Sequence, residues 1–140
     1  RLLPQTELVV VTTPQLSAQK VATRVADMAK RSFIPLLGVV ENMSYFESGD
    51  GNKYNIFGKG GGDELSQKFG IPLLSKIPIS EDSVEESENG TPILLQKKET
   101  PTKEAMQDLV NTIIKVLPPV SDETCTGRLA KVLEELEVEA

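Results

Sequence analysis

The chain is expected to fold as an α/β domain, part of a parallel sheet with flanking helices, and three features of its sequence lead there. Two short runs, ELVVVT at residues 7–12 and LLGVV at 36–40, are continuously apolar rather than alternating. That is the pattern of parallel strands covered on both faces. Between them Ala18, Val21, Ala22, Val25 and Ala29 recur at helical spacing, so strand, crossover helix and strand make a right-handed βαβ unit. A second helix and a third strand then continue the alternation.

Each element has local reasons for its limits. Thr13-Pro14 reads as a helix entry, with Thr13 as N-cap and Pro14 at the first helical position. The helix is expected over residues 15–30, and Pro35 closes the connection to the second strand. Residues 43–62 are rich in Gly, Ser, Asn and Asp. They are expected to form a long loop, of the kind that usually carries function in a compact domain. Residues 63–69 suit a short helix, with acids at its start and Lys68-Phe69-Gly70 at its end. A third strand is expected at 73–77, stopped by Pro78. Residues 83–89 suit one or two helical turns ended by Gly90, and 95–102 a polar linker. Residues 102–117 are amphipathic, with Met106, Leu109, Val110, Ile113 and Ile114 on one face, and Pro118-Pro119 ends that helix. In the last stretch Leu129, Val132, Leu133 and Leu136 share a face among acids. The chain therefore divides into a main part, 1–117, and an acidic helical tail, 118–140. Arg1-Leu2-Leu3-Pro4 carries no initiator Met and runs almost directly into a strand. A start inside a domain, with further strands upstream, is the expectation.

Composition narrows the functions available. At 140 residues, 39% hydrophobic and 26% charged, the chain has the make-up of a single globular domain with a core. Its net charge of −6 argues against a nucleic-acid surface, which needs clustered Lys and Arg. No apolar run approaches the roughly 20 residues of a membrane span, and no secretory signal opens the chain. There is one cysteine, Cys125, and no histidine. No disulfide within the chain, no His/Cys metal site and no His-based triad is therefore available. A cytoplasmic setting fits that cysteine usage.

Four stretches suggest chemistry. Gly58-Lys59-Gly60-Gly61-Gly62 has the glycines of a phosphate loop, but a Walker A loop needs Lys followed by Ser or Thr, and Lys59 is followed by Gly60. A hinge leading into the next helix is the favoured reading. Asn42 closes the second strand, and ligands of open α/β sheets bind outside the carboxyl ends of strands. Its amide offers the donor and acceptor that read a purine edge; equally, it suits an Asx-type bond that turns the chain. Pro78 ends the third strand in a similar place, where it either flanks a base or simply stops the strand. Thr12-Thr13-Pro14-Gln15 ends the first strand facing the same crevice.

Four blocks together resemble a known family. They are Val10-Val11-Thr12-Thr13-Pro14-Gln15, then the run from Gly38 through Glu41-Asn42-Met43 to Tyr45-Phe46, then Ile56-Phe57-Gly58 with Gly60-Gly61, and Ile77-Pro78-Ile79. In order and spacing they resemble the Mrp/ApbC family, P-loop ATPases of the MinD/ParA-like class that carry iron–sulfur clusters, over about residues 2–93. In that family the P-loop and both switch segments lie upstream of the first block. The resemblance thus implies the C-terminal part of a P-loop NTPase-type parallel sheet, lacking the P-loop strand. It also implies a full-length parent that binds ATP and magnesium, hydrolyses ATP, forms a homodimer and delivers clusters to apo iron–sulfur acceptor proteins. This chain alone is expected to be inactive, with no catalytic and no metal-binding residue of its own. By the same resemblance Asn42 recognises adenine, and the backbone of Pro78 and Ile79 lines the base pocket.

One departure stands inside the chain. The family usually places Cys-x-x-Cys just after the Tyr-Phe pair, supplying thiolates for a cluster bridging two subunits. Here that stretch reads Phe46-Glu47-Ser48-Gly49-Asp50-Gly51-Asn52, with Ser48 and Gly51 near the cysteine positions. Neither replaces a thiolate, although some branches of the family also lack the pair. Two alternatives follow. One is a MinD/ParA-like positioning ATPase, although a membrane-directed member carries a basic C-terminal helix, and here Glu134, Glu135, Glu137 and Glu139 surround it. The other is a non-enzymatic scaffold that has lost cluster binding.

Overall fold

In a computed structural model the described residues are 6–79 and 90–117. The elements run β1 (Leu8–Thr12), α1 (Leu16–Arg31), β2 (Leu36–Glu41), β3 (Phe46–Glu47), β4 (Lys53–Tyr54), α2 (Gly61–Phe69) and β5 (Leu73–Lys76). A 3-10 turn (Ile93–Leu95) and α3 (Pro101–Val116) follow. β1, β2 and β5 form one parallel sheet in the order β1-β2-β5, and β3 and β4 pair as a separate antiparallel hairpin. The α/β class and parallel sheet are those the sequence implies.

Alternation along the strands decides what each face meets. Val10 and Val39 are register partners. They form a buried core with Ala22 and Ala26 of α1 and Leu65 and Phe69 of α2, so both helices pack on one face of the sheet. Alanines on α1 let that helix approach the strands closely, and each large apolar side chain buried here contributes roughly 1.5–3 kcal/mol. Gly38 lies inside β2 because a Cβ there would stand 2.6 Å from Leu74 Cγ and 2.7 Å from the Pro72 carbonyl. α3 packs along β5, where Ser75 Oγ donates to the Ala105 carbonyl at 3.3 Å. At the far end of α2, Lys30 Nζ donates to the Phe69 carbonyl at 3.4 Å and lies 4.9 Å above that ring. A cation placed there complements the negative end of the helix.

The structure corrects several expectations. β1 is not covered on both faces: it is an edge strand among the described residues, and Val11 is 60% exposed. Thr13 does not cap α1, nor does Pro14 begin it. Gln15 is the N-cap, without a side-chain cap bond, and the helix starts at Leu16. The turn from the sheet needs those residues instead: Pro14 gives its carbonyl to Gln19 Nε2 at 2.9 Å. The stretch 43–62 is not wholly loop. It holds the β3–β4 hairpin, and α2 begins at Gly61 rather than Asp63. α3 takes Thr100 as N-cap and Pro101 in its first turn, and Thr100 Oγ1 accepts from the Lys103 N–H at 3.1 Å. The helical turns expected at 83–89 and the tail helix at 129–136 lie outside the described residues.

Candidate functional site at the carboxyl edge of the sheet

The four sequence blocks meet at one place, the carboxyl end of the sheet. β2 is its centre. Asn42 N–H donates to the Thr12 carbonyl at 2.7 Å, which ties the end of β2 to β1. On the other side Ile77 N–H donates to the Glu41 carbonyl and Ser44 N–H to the Ile77 carbonyl, at 2.8 and 2.9 Å. The chain bends between these two sets of bonds at Met43, whose φ of 54° lies in the left-handed region. Asn42 stands at that bend.

Asn42 Oδ1 accepts from the Met43 N–H at 2.9 Å, a local bond that turns the chain. An amide oxygen has two lone pairs, so this bond leaves acceptor capacity, and the Nδ2 donors, for another group. Asn42 also lines an open groove of about 400 Å³ with Val9–Thr12 of β1, the following Thr13, and Ala18, Val21 and Val25 of α1. Thr13 Oγ1, in that wall, is buried with no hydrogen-bond partner among the described residues.

Pro78 and Ile79 follow β5 on the opposite side of β2 and do not line that groove. Pro78 is buried, its carbonyl accepts from Thr102 Oγ1 at 3.3 Å, and Ile79 N–H donates to the Tyr45 carbonyl at 2.8 Å. Both backbone groups thus have protein partners. A ligand touching Asn42 and Pro78–Ile79 together would sit over the end of β2, not in the groove beside β1.

The glycine-rich stretch has a mechanical role that its sequence did not disclose. Gly60, at φ 83°, is the N-cap of α2. A Cβ on Gly61 would stand 2.6 Å from Gln19 Nε2 and 3.0 Å from the Pro14 carbonyl. One on Gly62 would stand 2.8 Å from Glu41 Cβ. The glycines therefore let α2 start directly against the ends of β1 and β2. Glu41 is what they enclose. It is 1% exposed, its Oε2 accepts from the Gly62 N–H at 2.6 Å, and its Oε1 accepts from Ser44 Oγ at 2.5 Å. The start of a helix attracts anions, and here a carboxylate from β2 holds that position. Gly58–Gly62 therefore does not fit a phosphate. Sequence reasoning missed Glu41; the available signal was an acid closing an otherwise apolar strand.

The hairpin occupies the stretch where the resemblance places a cysteine pair. Its tip is organised around Asp50. The carboxylate accepts from Ser48 Oγ, from Asn52 Nδ2 at 2.6 Å and from Asn52 N–H at 3.4 Å. Those bonds, Ser48 first and Asn52 next, hold its pKa below the usual 3.8. Lys53 lies 4.4 Å above the Tyr45 ring and 3.6 Å from Glu47, and Tyr45 is the main cause of its raised pKa. No thiol stands among the described residues, and Cys125 lies outside them, so this hairpin does not fit thiolate ligation of a cluster. No group of three or more His, Cys, Asp or Glu among the described residues is arranged to hold a metal ion.

Comparison with known proteins settles the family. Residues 1–114 match the ParA model described as NUBPL iron-transfer P-loop NTPase. The chain belongs to this family. The iron–sulfur cluster carrier protein of Pyrococcus horikoshii is 39% identical to this ParA-family chain over 116 residues, covering 82% of the chain and 39% of the relative. That of Mycobacterium leprae is 37% identical over 107 residues, covering 72% and 28%. The ParA-family chain thus spans about a third of the length of these relatives. A nucleotide-binding protein of Archaeoglobus fulgidus, solved in complex with ADP, superposes with a TM-score of 0.51 at 37% identity, covering 59% of the chain and 34% of that structure. The cell-division ATPase MinD of Pyrococcus furiosus superposes at 0.60 and 23% identity over 79% of the chain and 43% of its own, a likeness of fold. No helix among the described residues is long and apolar enough to cross a membrane.

Proposed function

We propose that residues 1–117 form the base-side part of the nucleotide site in an ATP-dependent iron–sulfur cluster carrier, and that 118–140 form an acidic tail. The observation that carries this reading is the convergence of Thr12–Thr13, Asn42 and Pro78–Ile79 at the carboxyl edge of a parallel sheet, where such folds bind ligands. Asn42 would pair with the adenine edge through Nδ2 and its remaining lone pair. Pro78 and Ile79 would line the base pocket on the other side of β2, with the half-buried Ile79 nearest the base. Phosphates and magnesium would be held by residues outside this chain, in a full-length cytoplasmic homodimer that hydrolyses ATP. This chain alone would not.

The test is Asn42→Ala in the full-length protein. Losing the pairing partner of a base edge should weaken ATP binding about tenfold while GTP binding changes little. Equal effects on both nucleotides, or none, would remove Asn42 from the base pocket.

The hairpin supports a second reading, a scaffold without cluster transfer, because Ser48 and Gly51 stand near the expected thiolate positions and neither is a thiolate. Anaerobic reconstitution of the full-length protein with iron and sulfide separates the two. A carrier holds a cluster and passes it to apo acceptor proteins, whereas the scaffold does neither.

A further inference from the structure

Glu41 presents a problem that packing alone does not solve. It lies at the centre of the sheet, paired in register with Thr12 on one side and Lys76 on the other. Its side chain is among the two largest that are fully buried. A sealed carboxylate is costly unless its oxygens are bonded, and an apolar side chain of similar volume would avoid that cost. Both oxygens are engaged, and their partners lie in different elements. Oε2 takes the Gly62 N–H at the start of α2, whereas Oε1 takes the hydroxyl of Ser44 three residues further along its own chain. That second bond closes a bracket around Asn42 and Met43. Within it, the strained Met43 and the bond from its N–H to Asn42 Oδ1 define the direction of the Asn42 amide.

We propose that Glu41 is a positioning residue for Asn42: its carboxylate locks the Asn42–Met43–Ser44 bend to the start of α2, so that the Asn42 amide meets the base at a fixed angle. The inference rests on the reading of Asn42 as the base-recognising residue. A simple cap of α2 would need only the Gly62 bond. Positioning needs the Ser44 bond as well, and the two roles are separable. Ser44→Ala cuts the bracket and leaves the helix contact in place. Glu41→Gln keeps an oxygen for Gly62 and offers an amide to Ser44, whose hydroxyl can turn to accept it.

The experiment measures the ratio of ATP to GTP affinity in the full-length protein, in which phosphate contacts cancel. Ser44→Ala and Glu41→Ala are each expected to lower that ratio by up to about tenfold, the loss expected when the Asn42 amide no longer meets the base. Glu41→Gln should restore most of it. If Glu41→Ala does not fold, Ser44→Ala carries the test. Wild-type discrimination in a folded Ser44→Ala protein, with discrimination lost in Asn42→Ala, overturns the positioning role and leaves the base reading intact. Unchanged discrimination in Asn42→Ala overturns the base reading itself, and this inference falls with it.

Discussion

Gly62 admits no side chain, because a Cβ would stand 2.8 Å from Glu41 Cβ and 2.9 Å from Leu73 Cδ1, both inside the packed sheet edge. Gly62→Ala should therefore lower stability by about 1–3 kcal/mol, the usual cost of overpacking. Gly49→Ala, at the hairpin tip with nothing within 4 Å, should change it little. Urea melts of the two variants make the comparison, and equal effects would refute the packing account. Asp50 gives a prediction of opposite character. Its folded pKa lies below 3.8, so the carboxylate favours the ordered turn at every pH above 3.8, and that contribution is lost as pH falls through the folded value. In an NMR titration the Ser48 and Asn52 backbone amides should follow Asp50 with a midpoint below 3.8. A midpoint above 3.8 would contradict the hydrogen-bond network. Asp50→Asn should abolish the titration.

At the scale of elements, α3 depends on its start. Among the described α-helices Thr100 is the only N-cap residue whose own side chain makes the cap bond, its oxygen 3.1 Å from the Lys103 nitrogen. Thr100→Ala should cost about 1 kcal/mol in a thermal or urea melt. Thr100→Ser should cost much less; if both cost the same, the cap is not the cause. Sequence patterns located β1, β2, β5 and the three described α-helices, because apolar runs and helical spacing are properties of single segments. They failed where structure depends on distant partners. β3 and β4 are two residues each, too short to carry a period. Thr13-Pro14 has good capping chemistry, yet the crossing of Gly61 against Pro14 and Gln19 sets that turn. Glu41 meets Gly62 across 21 positions, a relation that no local window contains. Asn42 and Pro78–Ile79 were legible only through the family resemblance and the rule that ligands gather at strand ends.

The whole molecule is asymmetric. One side of the sheet edge is closed by Glu41 and α2; the other, β1, is the edge strand among the described residues, beside Val11 and Val21, each 60% exposed. A parallel edge strand with exposed apolar neighbours is an association hazard, and the net charge of −6 opposes it only in part. Val21→Lys in the 140-residue chain should reduce self-association in light scattering or sedimentation without lowering the melting temperature. Unchanged association would place the sticky surface elsewhere.

The hairpin tip carries a different consequence. Its bonds among Ser48, Asp50, Gly51 and Asn52 are internal, and Gly49 and Gly51 have open space around them. The tip is thus an exchangeable cassette. Residues at the tip can therefore change without disturbing the sheet beneath it, and position 51, at φ 80°, is the one of the two glycines that resists a side chain.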